Sequence, residues 1–241
     1  MKKSSINLLL SAFLLLTAAA YAQPESPAPL SKQEKARLFL NRYLTMLDTS
    51  KNKDANKAII RGIENVAEGA PADWIAQYHA AYQNAIIGSS EKDSALAAFT
   101  FNKAQRYLSN GLKLKPEESE LVLLDGMIRS MMLAKKSEQD EKTKTEIMQR
   151  YEKAKNLNKE NPRVWLVLGQ TTLELPEEKG GGKKPAQQQL ETALKLYESD
   201  KHEDPAWPKW GKDTTEGLLK IIKGNSGSEK ATGKPESKPK K

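Results

Sequence analysis

ENPRVWLVLGQTTLELPEEKGGGKKPAQQQLETALKLYES, residues 160–199, decides the fold class of this chain. Two helical patterns, 162–175 and 185–198, lie on either side of a glycine elbow at 180–182. Their apolar and small residues recur at the three- and four-residue spacing of an amphipathic helix. These residues are Trp165, Leu168 and Gly169 in the first pattern and Ala186, Leu190, Ala193 and Leu194 in the second. Because a lone helix pair cannot bury both of its apolar faces, the stretch predicts one unit of a stacked helical array. Gly169 and Ala193 are expected where two helix backbones approach closely.

Helical periodicity continues through the rest of the mature chain. The other predicted helices cover roughly 31–47, 55–68, 72–87, 92–114, 117–134, 147–157 and 212–223. The charged stretch from Lys135 to Thr145 is predicted to be a solvated connection. No segment shows the sustained alternation with a period of two that marks a strand. The predicted fold class is therefore all-α.

A spacing of four, three and five residues recurs in three of these helices. It joins Ala104, Leu108, Gly111 and Pro116, then Ile147, Tyr151, Ala154 and Lys159, then Ala186, Leu190, Ala193 and Glu198. Together with the Trp165-Leu168-Gly169 pattern, this spacing resembles the tetratricopeptide repeat (TPR), a helix–turn–helix unit. The resemblance covers about Asp54 to Ser199, although Lys159 and Glu198 stand where the repeat has proline, and Asp125 where it has leucine.

The resemblance implies a TPR-like right-handed α-solenoid of about three helix pairs, with capping helices at the N- and C-terminal ends. The glycine elbow 180–182 is similar to that of exported bacterial TPR proteins, including auxiliary subunits of some solute transporters.

The first 22 residues have the features of a signal peptide. Lys2 and Lys3 precede an apolar run that is shorter than a membrane span, and Ala20-Tyr21-Ala22 predicts cleavage after Ala22. The alternative is an uncleaved anchor. The predicted location is therefore periplasmic or secreted. Because the chain has no cysteine, disulfides and lipid attachment to cysteine are excluded.

The remaining chain divides by composition into a proline-rich linker at 23–30, a TPR-like helical domain at 31–223 and a disordered lysine-rich tail at 224–241. The formal net charge of +8 is concentrated at the two ends, since the tail alone contains five lysines and two glutamates. No basic cluster with stacking or groove-reading residues is found, so no nucleic-acid partner is expected. No second stretch approaches a membrane span.

Residue patterns for catalysis or metal binding are missing from the sequence. His79 lacks a second ligand at helical spacing, and the acidic cluster around His202 has Pro205 where a calcium loop needs glycine. Gly182-Lys183 lacks the other residues of a phosphate-binding loop, and no nucleophile elbow occurs. The chain is therefore predicted to be non-enzymatic, with no catalytic residues, no cofactor and no metal site.

The resemblance to TPR proteins implies a binding groove lined by the first helix of each repeat. Carrying over the family's register gives the predicted partner-binding residues Tyr78, Tyr82, Leu123, Met127, Arg163, Leu166 and Gln170. Tyrosine, methionine and arginine are favoured in protein interfaces. The alternative is that these residues belong to an ordinary core and that the N-terminal helix fills the groove.

The predicted function is a periplasmic or secreted scaffold that mediates protein–protein interactions through this concave surface, with a protein partner and possible oligomerisation. The alternative is an accessory subunit of solute uptake that holds a small ligand in the concave cavity.

Overall fold

The computed structural model describes residues 29–136 and 140–231, and within them the chain forms nine α-helices and no strand. The helices are α1 (Lys32–Thr49), α2 (Lys53–Gly69), α3 (Trp74–Ser90), α4 (Ser94–Leu114), α5 (Ser119–Ala134), α6 (Glu141–Leu157), α7 (Pro162–Glu174), α8 (Lys183–Ser199) and α9 (Lys212–Ala231). A short 3-10 helix, Glu177–Lys179, lies before the glycine elbow. The predicted all-α fold class is confirmed for these residues.

The contacts between Cα atoms divide the chain into two units, Met1–Ser31 and Lys32–Lys241. The second unit contains all nine of the helices described. The predicted signal peptide and most of the proline-rich linker lie outside the described residues. No helix in the described part of the chain is both long and apolar enough to cross a membrane.

Short acidic and amide side chains fix several of the helix starts. Asn52, Asp73 and Asn161 each accept hydrogen bonds from backbone N–H groups in the first turn of α2, α3 and α7. These N–H groups have no partner within the helix itself, so the caps stabilise the helix ends. Asp140 does the same for α6, which is why this helix begins at Glu141, inside the stretch predicted as a connection.

Each helix packs mainly against the helices before and after it in the chain, and α3 also contacts α5. The buried apolar side chains form three successive clusters. Leu40, Ile63 and Leu124 belong to the cluster built mainly from α1 to α5, Ile147 and Leu168 to the middle one, and Leu190, Leu219 and Ile222 to the last one. The three clusters therefore follow one another in the same order as the helices in the chain.

Two glycines allow neighbouring helices to approach closely. A Cβ atom on Gly169 would lie 2.8 Å from Leu190 Cγ, so the close approach predicted there is confirmed. A Cβ atom on Gly126 would lie 2.5 Å from the Tyr151 ring. Both distances are too short for a real Cβ contact, so the α5–α6 and α7–α8 pairs depend on glycine at these positions.

The C-terminal helix is longer than the sequence pattern indicated. Helix α9 continues to Ala231, so its predicted end at Lys223 is eight residues too early, and 224–231 are helical rather than part of a disordered tail. The pattern ended early because residues after Lys223 are small or polar and give no apolar periodicity. The rest of the predicted tail, 232–241, lies outside the described residues.

Replacing Gly126 by alanine should destabilise the fold. The added methyl group overpacks the contact with Tyr151 at a cost of ~1–3 kcal/mol, which exceeds the gain of up to ~1 kcal/mol from alanine's higher helix propensity. Gly217→Ala is the matched control, because no atom lies within 4 Å of a Cβ at that helical position. Urea unfolding should show Gly126→Ala less stable and Gly217→Ala at least as stable as the parent. Equal midpoints for the two variants would contradict the α5–α6 packing.

Candidate functional site

Residues 200–211, here called the strap, connect α8 to α9 and lie against α3. Nε2 of His79 donates a hydrogen bond to the Ala206 carbonyl at 2.7 Å. Nε1 of Trp210 donates to the Tyr78 hydroxyl at 2.8 Å. Both α3 residues lie far from the strap in sequence, and both are buried. The strap therefore covers the face of α3 on which the repeat register places a partner.

Aromatic rings reinforce this contact. The ring of Tyr82 is nearly parallel to those of Tyr78 and Trp210, with centroid distances of 6.2 and 5.4 Å. Closer to the start of the strap, Trp207 meets Trp74 edge-on at 5.4 Å. Offset-stacked and edge-to-face pairs are favourable arrangements of aromatic rings. They hold the strap to α3 through side chains that are more than a hundred residues apart in sequence.

A buried ion-pair network fixes the start of the strap. Arg163 on α7 is only 1% exposed, and its Nε donates to a Glu120 carboxylate oxygen of α5 at 2.6 Å. Its Nη1 atom donates to Asp200, the first residue of the strap, at 2.8 Å. Burial raises the pKa of the Glu120 carboxyl, whereas the neighbouring Arg163 guanidinium acts to lower it. A buried arginine needs such partners, because an unpaired charge in the interior is costly.

A second arginine fixes the middle of the strap. Arg37 on α1 forms ion pairs with Asp73, the N-cap of α3, at 2.8 Å and with Asp204 of the strap at 3.4 Å. Asp73 is buried and also accepts hydrogen bonds from the first turn of α3. The helix start and the strap are thereby tied to the same guanidinium group.

The structure divides the predicted partner-binding residues into two groups. Tyr78, Leu123, Arg163 and Leu166 are at most 1% exposed and contact other parts of their own chain. Tyr82 is half-buried beside Trp210, and Met127 and Gln170 are also half-buried. The alternative of an ordinary core agrees with the burial of Tyr78, Leu123, Arg163 and Leu166. At α3 the strap supplies the hydrogen bond to Tyr78 and the ring contact to Tyr82, while the N-terminal helix packs in the same apolar cluster. The role of these seven residues in binding a protein stays a prediction.

Met127 and Gln170 belong to an open groove of about 280 Å³, here called the methionine groove. Its apolar lining comes from α5, α6, α7 and α9 and consists of Met127, Met131, Tyr151, Val167, Leu173 and Leu218. Its polar groups are Ser130, Gln170, Thr171 and Glu174. Met127 and Gln170 were among the predicted partner-binding residues, whereas Tyr151 was recognised only by its place in the repeat spacing. A concave, mainly apolar surface with few polar groups is typical of a small-molecule site.

The groove offers soft and neutral ligating groups. Met127 and Met131 are four residues apart on α5, so their thioethers share one helix face. Burial raises the pKa of Tyr151 to about 12, so its side chain is a neutral phenol at physiological pH. Among the described residues, no group of three or more His, Cys, Asp or Glu side chains is placed to hold a bare metal ion.

These features define an all-α chain whose helices pack in sequence order, with a C-terminal strap and an open apolar groove. No protein-family model and no curated protein matches the chain. Among solved structures, it is similar to the HusA haemophore from Porphyromonas gingivalis, with a TM-score of 0.70 and 23% sequence identity. The similarity covers 82% of this chain and 97% of the haemophore. At this identity the likeness shows that the two chains share a fold.

His79 should make the folded state less stable in acid. Burial lowers the pKa of His79 from 6.5 to about 4, although the hydrogen bond to Ala206 acts in the opposite direction. As pH falls, the unfolded chain therefore binds a proton first. The contribution to the free energy of unfolding is complete above pH 6.5 and decreases by about 3 kcal/mol as pH falls through the folded pKa.

Urea unfolding of the parent and of His79→Gln at neutral pH and at about pH 4 measures this contribution. Glutamine has no proton to gain, so the variant should lose less stability on acidification. An unchanged acid response in His79→Gln would exclude this residue as its source.

Arg163→Met should destabilise the protein by ~3–5 kcal/mol, because Glu120 and Asp200 would lose their buried counter-charge. The double variant Glu120→Leu/Arg163→Met removes the buried carboxylate as well and should recover part of the loss. Chemical unfolding of the three proteins measures both effects. A change below about 0.5 kcal/mol for Arg163→Met, as for an ordinary surface residue, would contradict the network.

Proposed function

We propose that this protein is an exported, non-enzymatic carrier that binds a planar apolar ligand of the tetrapyrrole class, haem in particular, in the methionine groove. The observation that carries the proposal is the groove itself, an open apolar surface with two thioethers. The fold shared with a haemophore supports the choice of ligand class. We also propose that the helices form the predicted TPR-like right-handed solenoid, that the groove lies on its concave side, and that the protein is periplasmic or secreted.

The groove's lining matches the body of such a ligand. Thioether and aliphatic side chains, such as Met127 and Val167, make favourable dispersion contacts with a flat aromatic ring system. The volume of about 280 Å³ lies near the lower limit of about 300 Å³ for small-molecule pockets. A tetrapyrrole would therefore be only partly enclosed, which suits a carrier that must pass its ligand on.

The groove also contains residue types that ligate haem iron. Methionine and tyrosine are both found as axial ligands of haem. Because burial keeps Tyr151 protonated, the thioethers of Met127 and Met131 are the favoured donors at neutral pH. A porphyrin supplies four nitrogen ligands itself, so the protein needs to contribute only one or two side chains, unlike a site for a bare ion.

A protein-binding scaffold remains the second candidate. It is favoured by large apolar side chains on α1 and α4 that are about half exposed: Leu38 (57%), Phe39 (49%), Leu96 (48%) and Phe99 (62%). Exposed apolar patches are common at protein interfaces. In this function the partner would dock on these helices, and the methionine groove would not be required.

Titration of the purified chain with haemin, followed by visible absorbance, tests the carrier function. Met127→Gln/Met131→Gln keeps side-chain length but removes the thioethers and much of the apolar surface. We expect it to weaken haemin binding about tenfold or more, a change of ~1.4 kcal/mol. The control Met46→Gln changes an exposed methionine on α1, outside the groove, and should bind as the parent does.

Two further measurements distinguish ligation of the haem iron from binding of the porphyrin ring. Met127→Leu/Met131→Leu retains the apolar surface, so it should bind iron-free protoporphyrin as the parent does while altering the absorbance spectrum of bound haemin. If the parent binds neither porphyrin, or if the Gln variant binds both unchanged, the carrier proposal is wrong and the scaffold function is preferred.

A further inference from the structure

A second cavity, of about 320 Å³, lies where the strap meets the end of α8 and the start of α9. We call it the strap pocket; it shares no lining residue with the methionine groove. Tyr197, His202 and Trp207 contribute its aromatic surface. The rings of His202 and Trp207 stack in parallel, with their centroids 4.0 Å apart. The pocket therefore has an aromatic wall made of two rings that are already stacked on each other.

The charges around the strap pocket are unbalanced. Lys201, Lys209 and Lys212 line it, all are exposed, and none forms an ion pair with another described residue. Its two carboxylates already have partners. Asp200 accepts from Arg163 and contacts Nε2 of His202 at 2.8 Å. Asp204 pairs with Arg37 at 3.4 Å. The lysine ammonium groups are therefore the charges left for a ligand.

We propose that the strap pocket binds a planar aromatic carboxylate. The ring of the ligand would lie against the His202–Trp207 wall, and its carboxylate would be attracted by the three lysine ammonium groups. Lysine carries a compact point charge on a flexible stem, so it can reach an anion whose position varies. The volume of about 320 Å³ suits a ligand of one or two rings. This inference does not depend on the function proposed for the methionine groove.

The probe for the test is 2-naphthoate, with the uncharged 2-naphthamide as its matched comparison. Two-dimensional NMR of the full chain follows the indole N–H signals during titration. Trp207 reports on the strap pocket. Trp165, whose indole donates to the Lys159 carbonyl on another part of the fold, serves as internal reference. We expect 2-naphthoate to shift the Trp207 signal with a Kd on the order of 1 mM, which is typical of so small a ligand.

Two charge-matched triple variants decide whether the lysines recognise the carboxylate. Lys201→Gln/Lys209→Gln/Lys212→Gln should weaken 2-naphthoate binding about tenfold, as expected for the loss of several exposed ion pairs. Lys153→Gln/Lys184→Gln/Lys220→Gln removes the same charge from exposed positions outside the pocket and should bind as the parent does. Binding in the parent should also weaken as salt is added.

The amide comparison and the two triple variants together decide whether the strap pocket binds an aromatic carboxylate. The proposal is supported if naphthoate shifts Trp207 but not Trp165, binds more tightly than the amide and loses affinity only in the pocket variant. It is overturned if naphthoate and naphthamide bind equally, if both triple variants respond alike, or if the Trp207 signal does not move. None of these outcomes bears on haemin binding by the methionine groove.

Discussion

The positive charge of Arg163 is the constraint on which the arrangement of both sites depends. A guanidinium that is 1% exposed must be neutralised inside the protein, and the two carboxylates that do so come from different parts of the chain. Glu120 belongs to α5, and Asp200 is the first residue of the strap. Their contacts join α5, α7 and the strap at one point. The course of the strap from there to Trp210 is fixed by this anchor together with the Arg37–Asp204 pair.

The strap divides the surface that the repeat register assigns to binding. At α3 that surface is covered, since Trp210 stacks on Tyr82 and donates to the Tyr78 hydroxyl. At α5 and α7 it is open only in part: Met127 and Gln170 line the methionine groove there, whereas Leu123, Arg163 and Leu166 are buried. The same strap forms the wall of the strap pocket through His202 and Trp207. A connecting segment thus determines which parts of the helical surface can meet a ligand.

Most of the helical structure could be predicted from the sequence, and the burial of the site residues could not. Helix α7 was predicted at 162–175 and spans Pro162–Glu174, because its apolar period and its Asn161 cap are local features. Tyr78 and Arg163 were placed correctly on their helices but are buried, and their covering partners, Trp210 and Asp200, lie 132 and 37 residues away in sequence. Trp207 and Trp210 were the features of the sequence that could have predicted this covering segment. Large apolar side chains in a connection between helices are expected to pack against another part of the protein.

The likeness to a haemophore constrains function less than it constrains fold. At 23% identity the likeness shows that two different sequences form the same fold. In this chain the close helix packing includes Gly126 against Tyr151 and Gly169 against Leu190. Function therefore has to be argued from the chemistry of the exposed sites. The methionine groove is soft and apolar around its two thioethers, and the strap pocket is aromatic and cationic. The large apolar ring system of a porphyrin would favour the first and a small aromatic anion the second, so the proposed sites select for different ligands through different physical interactions.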